Sequence, residues 1–167
     1  MPRIVCGLLG APEGMTDPEL AGRARDLTVS WLRWGYFGDI LEDGSIDAIL
    51  ARAANLGYDY CLVQGHGHIL AEHASPNGGG SRSFFEALHA WIADTRFCMA
   101  GVPERCLLVD LAEWQTLGRP GSATFPVTGF GPDLSGYLVD LRPDLSGGGP
   151  FLSSIDELCE KAARGVF

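Results

Sequence analysis

Apolar residues in this chain fall into short blocks whose spacing alternates between two kinds, and the alternation predicts the elements. Arg3–Leu9 (RIVCGLL) is a continuous, largely apolar run closed by Gly10 and Pro12, the pattern of a buried first strand. From Ser45 onward the spacing becomes helical: Ile46, Ile49, Leu50, Ala53 and Leu56 share one face, Ser45 is an N-cap residue, and Gly57 stands where a left-handed C-cap belongs. Tyr58–Gln64 (YDYCLVQ) is a second strand. Ser83 to Glu86 forms a capping box that opens a helix reaching about Thr95, with Phe85, Leu88 and Ile92 on its inner side. Arg96–Val102 and Cys106–Leu111 are two further strands. Pro103 to Arg105 is too short for a parallel crossover, so either these two pair antiparallel or one of them is not a strand. Tyr137–Leu141 is another short strand.

Between these blocks the signals are less regular. Thr16-Asp17-Pro18-Glu19 has the residues of a helix start, and Leu27–Tyr36 fits both a helical face and a two-residue alternation, with helix continuation favoured. Gln115–Gly136 is rich in Gly, Pro, Ser and Thr without periodicity, which predicts a long loop of the functional or mobile kind. A second box, Ser154 to Glu157, starts a helix that ends at Gly165. The order of strands and helices predicts a single α/β domain over residues 1–167. Its expected form is a three-layer, Rossmann-like fold with a mainly parallel, mixed sheet flanked by helices. Val166 and Phe167 begin an apolar stretch past the last cap, which leaves open a longer protein of which this is the amino-terminal part.

Composition narrows the function classes. The 167 residues are 46% hydrophobic and 20% charged, values of a chain that builds a core and not of a disordered one. A formal charge of −9, with Lys161 as the one lysine among twelve basic residues, repels a phosphate backbone, so no nucleic-acid partner is expected. No apolar run approaches the roughly 20 residues of a spanning helix, and no membrane partner is expected. Arg3 and its short apolar run lack a cleavage region, which reads as the start of a cytoplasmic protein. Five single cysteines without a C-x-x-C pair read as reduced core residues. Scarce lysine with abundant Arg, Ala and Gly suggests a high-GC bacterial gene and, on that basis alone, specialised biosynthesis.

Three constellations carry candidate chemistry for a small-molecule ligand. Gly78-Gly79-Gly80-Ser81-Arg82-Ser83 brings flexible N–H groups, two hydroxyls and a guanidinium to a helix start, an arrangement suited to an anion, although it matches no standard phosphate-loop pattern. His66 and His68 stand two apart after the second strand, where extended backbone puts both on one face. His68 is the acid/base candidate and His66 a ligand contact. With only Glu72 and His73 nearby, no metal set is complete and none is assigned. Asp110 and Asp140, each the one charge in an apolar string, are suited to bonding ligand hydroxyls, Asp110 as a catalytic candidate alongside His68, and Asp140 as a ligand contact. The residues identify no cofactor, and homo-oligomerisation is left open.

The segment Cys106 to Leu117 (CLLVDLAEWQTL) resembles the part of GT-A-type glycosyltransferases in which a strand ending in an acidic or amide residue meets a short turn with a tryptophan. That resemblance implies a nucleotide-sugar donor and puts Asp110 and Trp114 near the donor or acceptor pocket. No two aspartates stand two residues apart, so the D-x-D metal motif common in that family is missing, as in a degenerate or metal-independent relative or a fragment. The expected function is a transferase acting on a phosphate-bearing, nucleotide-sugar-like donor. The alternative is a non-catalytic small-molecule-binding or scaffold domain.

Overall fold

The structure is a computed structural model and describes residues 2–10, 40–65, 68–70, 84–102, 105–135 and 137–140. The expected helices starting at Thr16 and Ser154, the Leu27–Tyr36 segment, His66 and the Gly78–Ser83 stretch lie outside these residues. In chain order the elements are β1 (Ile4–Leu9), β2 (Ile40–Asp43), α1 (Ile46–Asn55), β3 (Tyr60–Gln64), β4 (His68–Leu70), α2 (Phe84–Asp94), β5 (Met99–Val102), β6 (Cys106–Asp110), α3 (Leu111–Thr116), α4 (Gly131–Ser135) and β7 (Leu138–Asp140).

Five strands form one sheet in the order β2-β1-β3-β6-β5, and β4 and β7 form a separate two-stranded ladder. Strands β2, β1 and β3 are parallel. Strand β6 pairs antiparallel with both β3 and β5, so it alone runs against the rest. This is the α/β, Rossmann-like arrangement expected from the order of elements.

The sheet is buried on both faces because its central strands are apolar at every position but their ends. Val5, Cys61, Val63, Leu107 and Val109 pack with Ile49, Leu50 and Ala53 of α1 and with Leu111 and Trp114 of α3. Cys6, Leu62, Ala100, Cys106 and Leu108 face Ala87 and Leu88 of α2, Leu134 of α4, Phe130 and Tyr137. Successive residues of a strand point to opposite faces, so one run of sequence feeds both cores. Each fully buried Leu or Ile contributes about 1.5–3 kcal/mol.

Helix α1 forms as its pattern requires. The Ser45 side chain accepts from the Ala48 N–H at 3.4 Å, and Asp47 sits in the first turn. At the other end Gly57 adopts φ +81°. Its N–H reaches the Ala54 carbonyl at 3.0 Å, and that of Tyr58 reaches Ala53 at 3.2 Å, a Schellman closure. One expected core position differs: Leu56, the C-cap residue, is 57% exposed, because the chain has left the helical face by that point.

Three further differences have local causes. Strand β2 (ILED) was not foreseen, being four residues with two acidic ones, and it is specified by pairing with Cys6–Leu9 of β1. The expected loop from Gln115 to Gly136 contains the end of α3 and all of α4, both too short to show a period. Its remainder is tied down: Thr128 bridges β5 through the Gly101 N–H and the Met99 carbonyl, and the Ser122 N–H reaches the Asp47 carboxylate at 3.0 Å.

Gly7 shows how closely the layers approach. A Cβ there would lie 2.5 Å from Cγ2 of Ile49 on α1. Gly7→Ala should therefore cost about 1–3 kcal/mol by overpacking, read from urea unfolding. Adding Ile49→Leu, which removes that methyl, should cost less in the Gly7→Ala background than alone. Strictly additive penalties would contradict the contact.

Candidate functional site

The connection from β1 leads outward to β2, and the next one returns past β1 to β3, so the strand order reverses at the β1–β3 pair. In open α/β sheets a crevice forms beyond the carboxyl ends of the strands at such a reversal, and ligands bind there. The residues at this rim are Leu8 and Gln64, which are register partners, followed by Gly10 and Gly65. The backbone N–H groups of both glycines are engaged. The Gly10 N–H donates to the Asp43 carbonyl at 2.9 Å and the Gly65 N–H to the Arg105 carbonyl at 3.0 Å.

Gln64 is the polar exception at this rim. It is 0% exposed, yet neither Oε1 nor Nε2 has a hydrogen-bond partner. Its register partners across the sheet, Leu8 on β1 and Cys106 on β6, are also fully buried. Burial pushes the Cys106 thiol up to about 12, so the wall beside the amide is uncharged. An orphaned buried amide costs about 1–3 kcal/mol, an outlay that a bound molecule able to complete its bonds would offset. In the sequence Gln64 is the last residue of an apolar run before Gly65-His66-Gly67-His68, and that polar ending was the one signal available.

Asp110 stands at the other end of β3. It is the register partner of Tyr60, whereas Gln64 pairs with Cys106, four residues along, or about 13 Å at 3.3 Å per residue. Locally Asp110 is a helix cap, for its Oδ1 accepts from the Glu113 N–H at 3.1 Å and opens α3. It also lines an open groove of about 470 Å³ with Thr95, Arg96, Phe97, Cys98 and Glu113. The groove is electronegative on one wall. Burial first, then the Glu113 and Asp110 carboxylates, raise the Cys98 thiol, and burial followed by Asp110 and Asp59 raises the Tyr60 hydroxyl.

Trp114 belongs to the core. It is 2% exposed, its indole N–H donates to the Pro120 carbonyl at 3.0 Å, and the Arg119 guanidinium lies 5.2 Å from its ring. His68 and Asp140 are brought together in backbone register, opposite one another in the β4–β7 ladder. His66 and Gly78, Gly79, Gly80, Ser81, Arg82 and Ser83 are outside the described residues. Among those described, no three His, Cys, Asp or Glu residues stand close enough to hold a metal ion. Nor is any described helix long and apolar enough to cross a membrane.

No protein family matches this chain, and neither does any curated protein or solved structure.

Two predictions follow from the strand ends. Asp110→Ala should cost about 0.5–2 kcal/mol in chemical unfolding through loss of the cap, while Asp110→Asn, an equally good cap, should leave stability nearly unchanged. A large loss in Asp110→Asn would mean that the charge itself holds the fold. The second concerns Cys61 and Cys106, whose thiols burial pushes up to about 12 from the ordinary 9.0. The unfolded thiols ionise first, so the stability they contribute is complete below pH 9 and drains away between pH 9 and 12. By pH 10 the loss should be about 1 kcal/mol per thiol. Cys61→Ala should flatten that slope, and an unaltered slope would refute the assignment.

Proposed function

We propose that this chain binds a small molecule at the carboxyl rim of β1 and β3, with the Gln64 side chain as the contact that fixes it. One observation carries the reading: a fully buried amide with both polar atoms unpaired, located where the strand order reverses. A glutamine with a purely architectural role would be bonded, or would be replaced by an apolar residue of the same shape at no loss.

A transferase reaction on a phosphate-bearing, nucleotide-sugar-like donor is the activity we attach to this site. Its support is the position of the Gly78–Ser83 stretch in the chain, immediately before α2, where backbone N–H groups, Ser81, Arg82 and Ser83 suit a diphosphate. The β4–β7 register puts His68 opposite Asp140 along the backbone, and within this proposal His68 is the acid or base and Asp140 a ligand contact. Asp110 does not share this rim. Contact of its carboxylate with ligand hydroxyls would belong to a separate subsite in the Thr95–Cys98 groove. A cytoplasmic setting goes with the proposal, since the described cysteines are free and buried. If the site binds without catalysing, the chain is a small-molecule-binding or scaffold domain.

Thermal-shift screening with uridine and thymidine diphosphate sugars, with and without Mn²⁺, tests the ligand class; stabilisation by several of them is expected. Gln64→Met removes the orphaned amide at nearly constant volume. It should raise stability by about 1–3 kcal/mol while erasing the ligand-induced shift. A fall in stability would show that Gln64 is held by the protein itself, and the rim proposal would fail.

A further inference from the structure

The bonding capacity of Gln64 narrows what the rim accepts. Resting on the rim reading above, we infer that the site takes a neutral, planar group carrying a hydrogen-bond donor and an acceptor side by side, the edge of a primary amide, a lactam or a nucleobase. A glutamine amide presents a donor and an acceptor in one plane. Since Oε1 and Nε2 both lack partners, a ligand that satisfies the site must serve both at once.

Other ligand groups leave a remainder. A phosphate or carboxylate oxygen accepts from Nε2 but offers nothing to Oε1. An anion also requires counter-charge, and among the described residues of the sheet those on the same face around Gln64 supply none. Leu8 and Cys106 flank it in register, and Leu62 and Leu108 follow on that face, all of them 0% exposed. A sugar diol can bond both atoms, but its remaining hydroxyl valences would meet those same apolar side chains, where each unpaired polar group costs free energy. A flat donor–acceptor edge closes both bonds within one plane and leaves its faces free to pack on aliphatic carbon. The pairing is the one by which Gln reads an adenine edge in nucleic acids.

The test is binding of uridine, nicotinamide, 3-methyluridine, glucose and inorganic pyrophosphate to the wild-type chain and to Gln64→Met, followed by ligand-detected NMR and calorimetry. Uridine or nicotinamide should bind, the first identifying a nucleobase edge and the second a carboxamide. Gln64→Met should weaken that binding at least tenfold, and methylation of the uridine N3 should do the same to uridine. Pyrophosphate or glucose binding that depends on Gln64, with no binding of the amide probes, would overturn the inferred ligand class and leave the rim site standing. Failure of every probe, or affinities equal in the wild type and Gln64→Met, would overturn both. Since Gln64→Met is expected to stabilise the fold, loss of binding in it would not reflect unfolding.

Discussion

Strand β3 lies at the centre of the sheet and must be covered on both faces, and most of the molecule follows from that demand. Cys61 and Val63 turn toward α1 and α3, while Tyr60 and Leu62 turn toward the side of α2 and α4. Neither face can carry an unpaired polar group without cost, so the flanking strands β1 and β6 are nearly as apolar as β3 itself. The same demand brings α1 so near that β1 has room only for glycine at position 7, beneath Ile49. It also keeps the buried cysteines as neutral thiols, since an anion there would have neither water nor a counter-charge.

Against that background the two ends of β3 differ in kind. At its start Tyr60 lies opposite Asp110, whose carboxylate is occupied in opening α3 and borders a groove also lined by Glu113 and Arg96. At its finish Gln64 breaks the rule that buried polar groups are paired. Local sequence and packing agree elsewhere in the sheet, and the position where they conflict is the natural one for function. The groove end carries the Arg96 guanidinium as well as two carboxylates, whereas the rim site as proposed would take a neutral edge. A single ligand at the rim therefore need not involve Asp110.

Much of the architecture is legible in the sequence because it rests on local signals. Ser45 and Gly57 bracket α1, the apolar runs of β1 and β3 stand out by length, and the short Pro103–Arg105 link forces β5 and β6 into an antiparallel pair. Strand β2 is not legible because its identity comes from pairing with β1, and α3 is hidden because the apolar string of β6 runs straight into it. The candidate site was read less well. Asp110 was singled out as a lone charge in an apolar string, a pattern that a helix cap produces equally, and Trp114 is an aromatic whose core position only packing reveals. Gln64 is not legible as a site residue, since whether a strand-end glutamine is enclosed and unpaired depends on neighbours distant in the chain. His68 and Asp140 were each singled out, but their shared register is a property of the fold alone.

The central claim is that the Gln64 amide is enclosed by the fold without a partner in the chain. Side-chain ¹⁵N–¹H spectra of the ligand-free protein, with Gln64 assigned by substitution, test it most directly. The account predicts slow exchange of both Nε2 protons with solvent, together with no scalar coupling across a hydrogen bond to any protein carbonyl. Such a coupling, or exchange as rapid as that of an exposed glutamine, would contradict it.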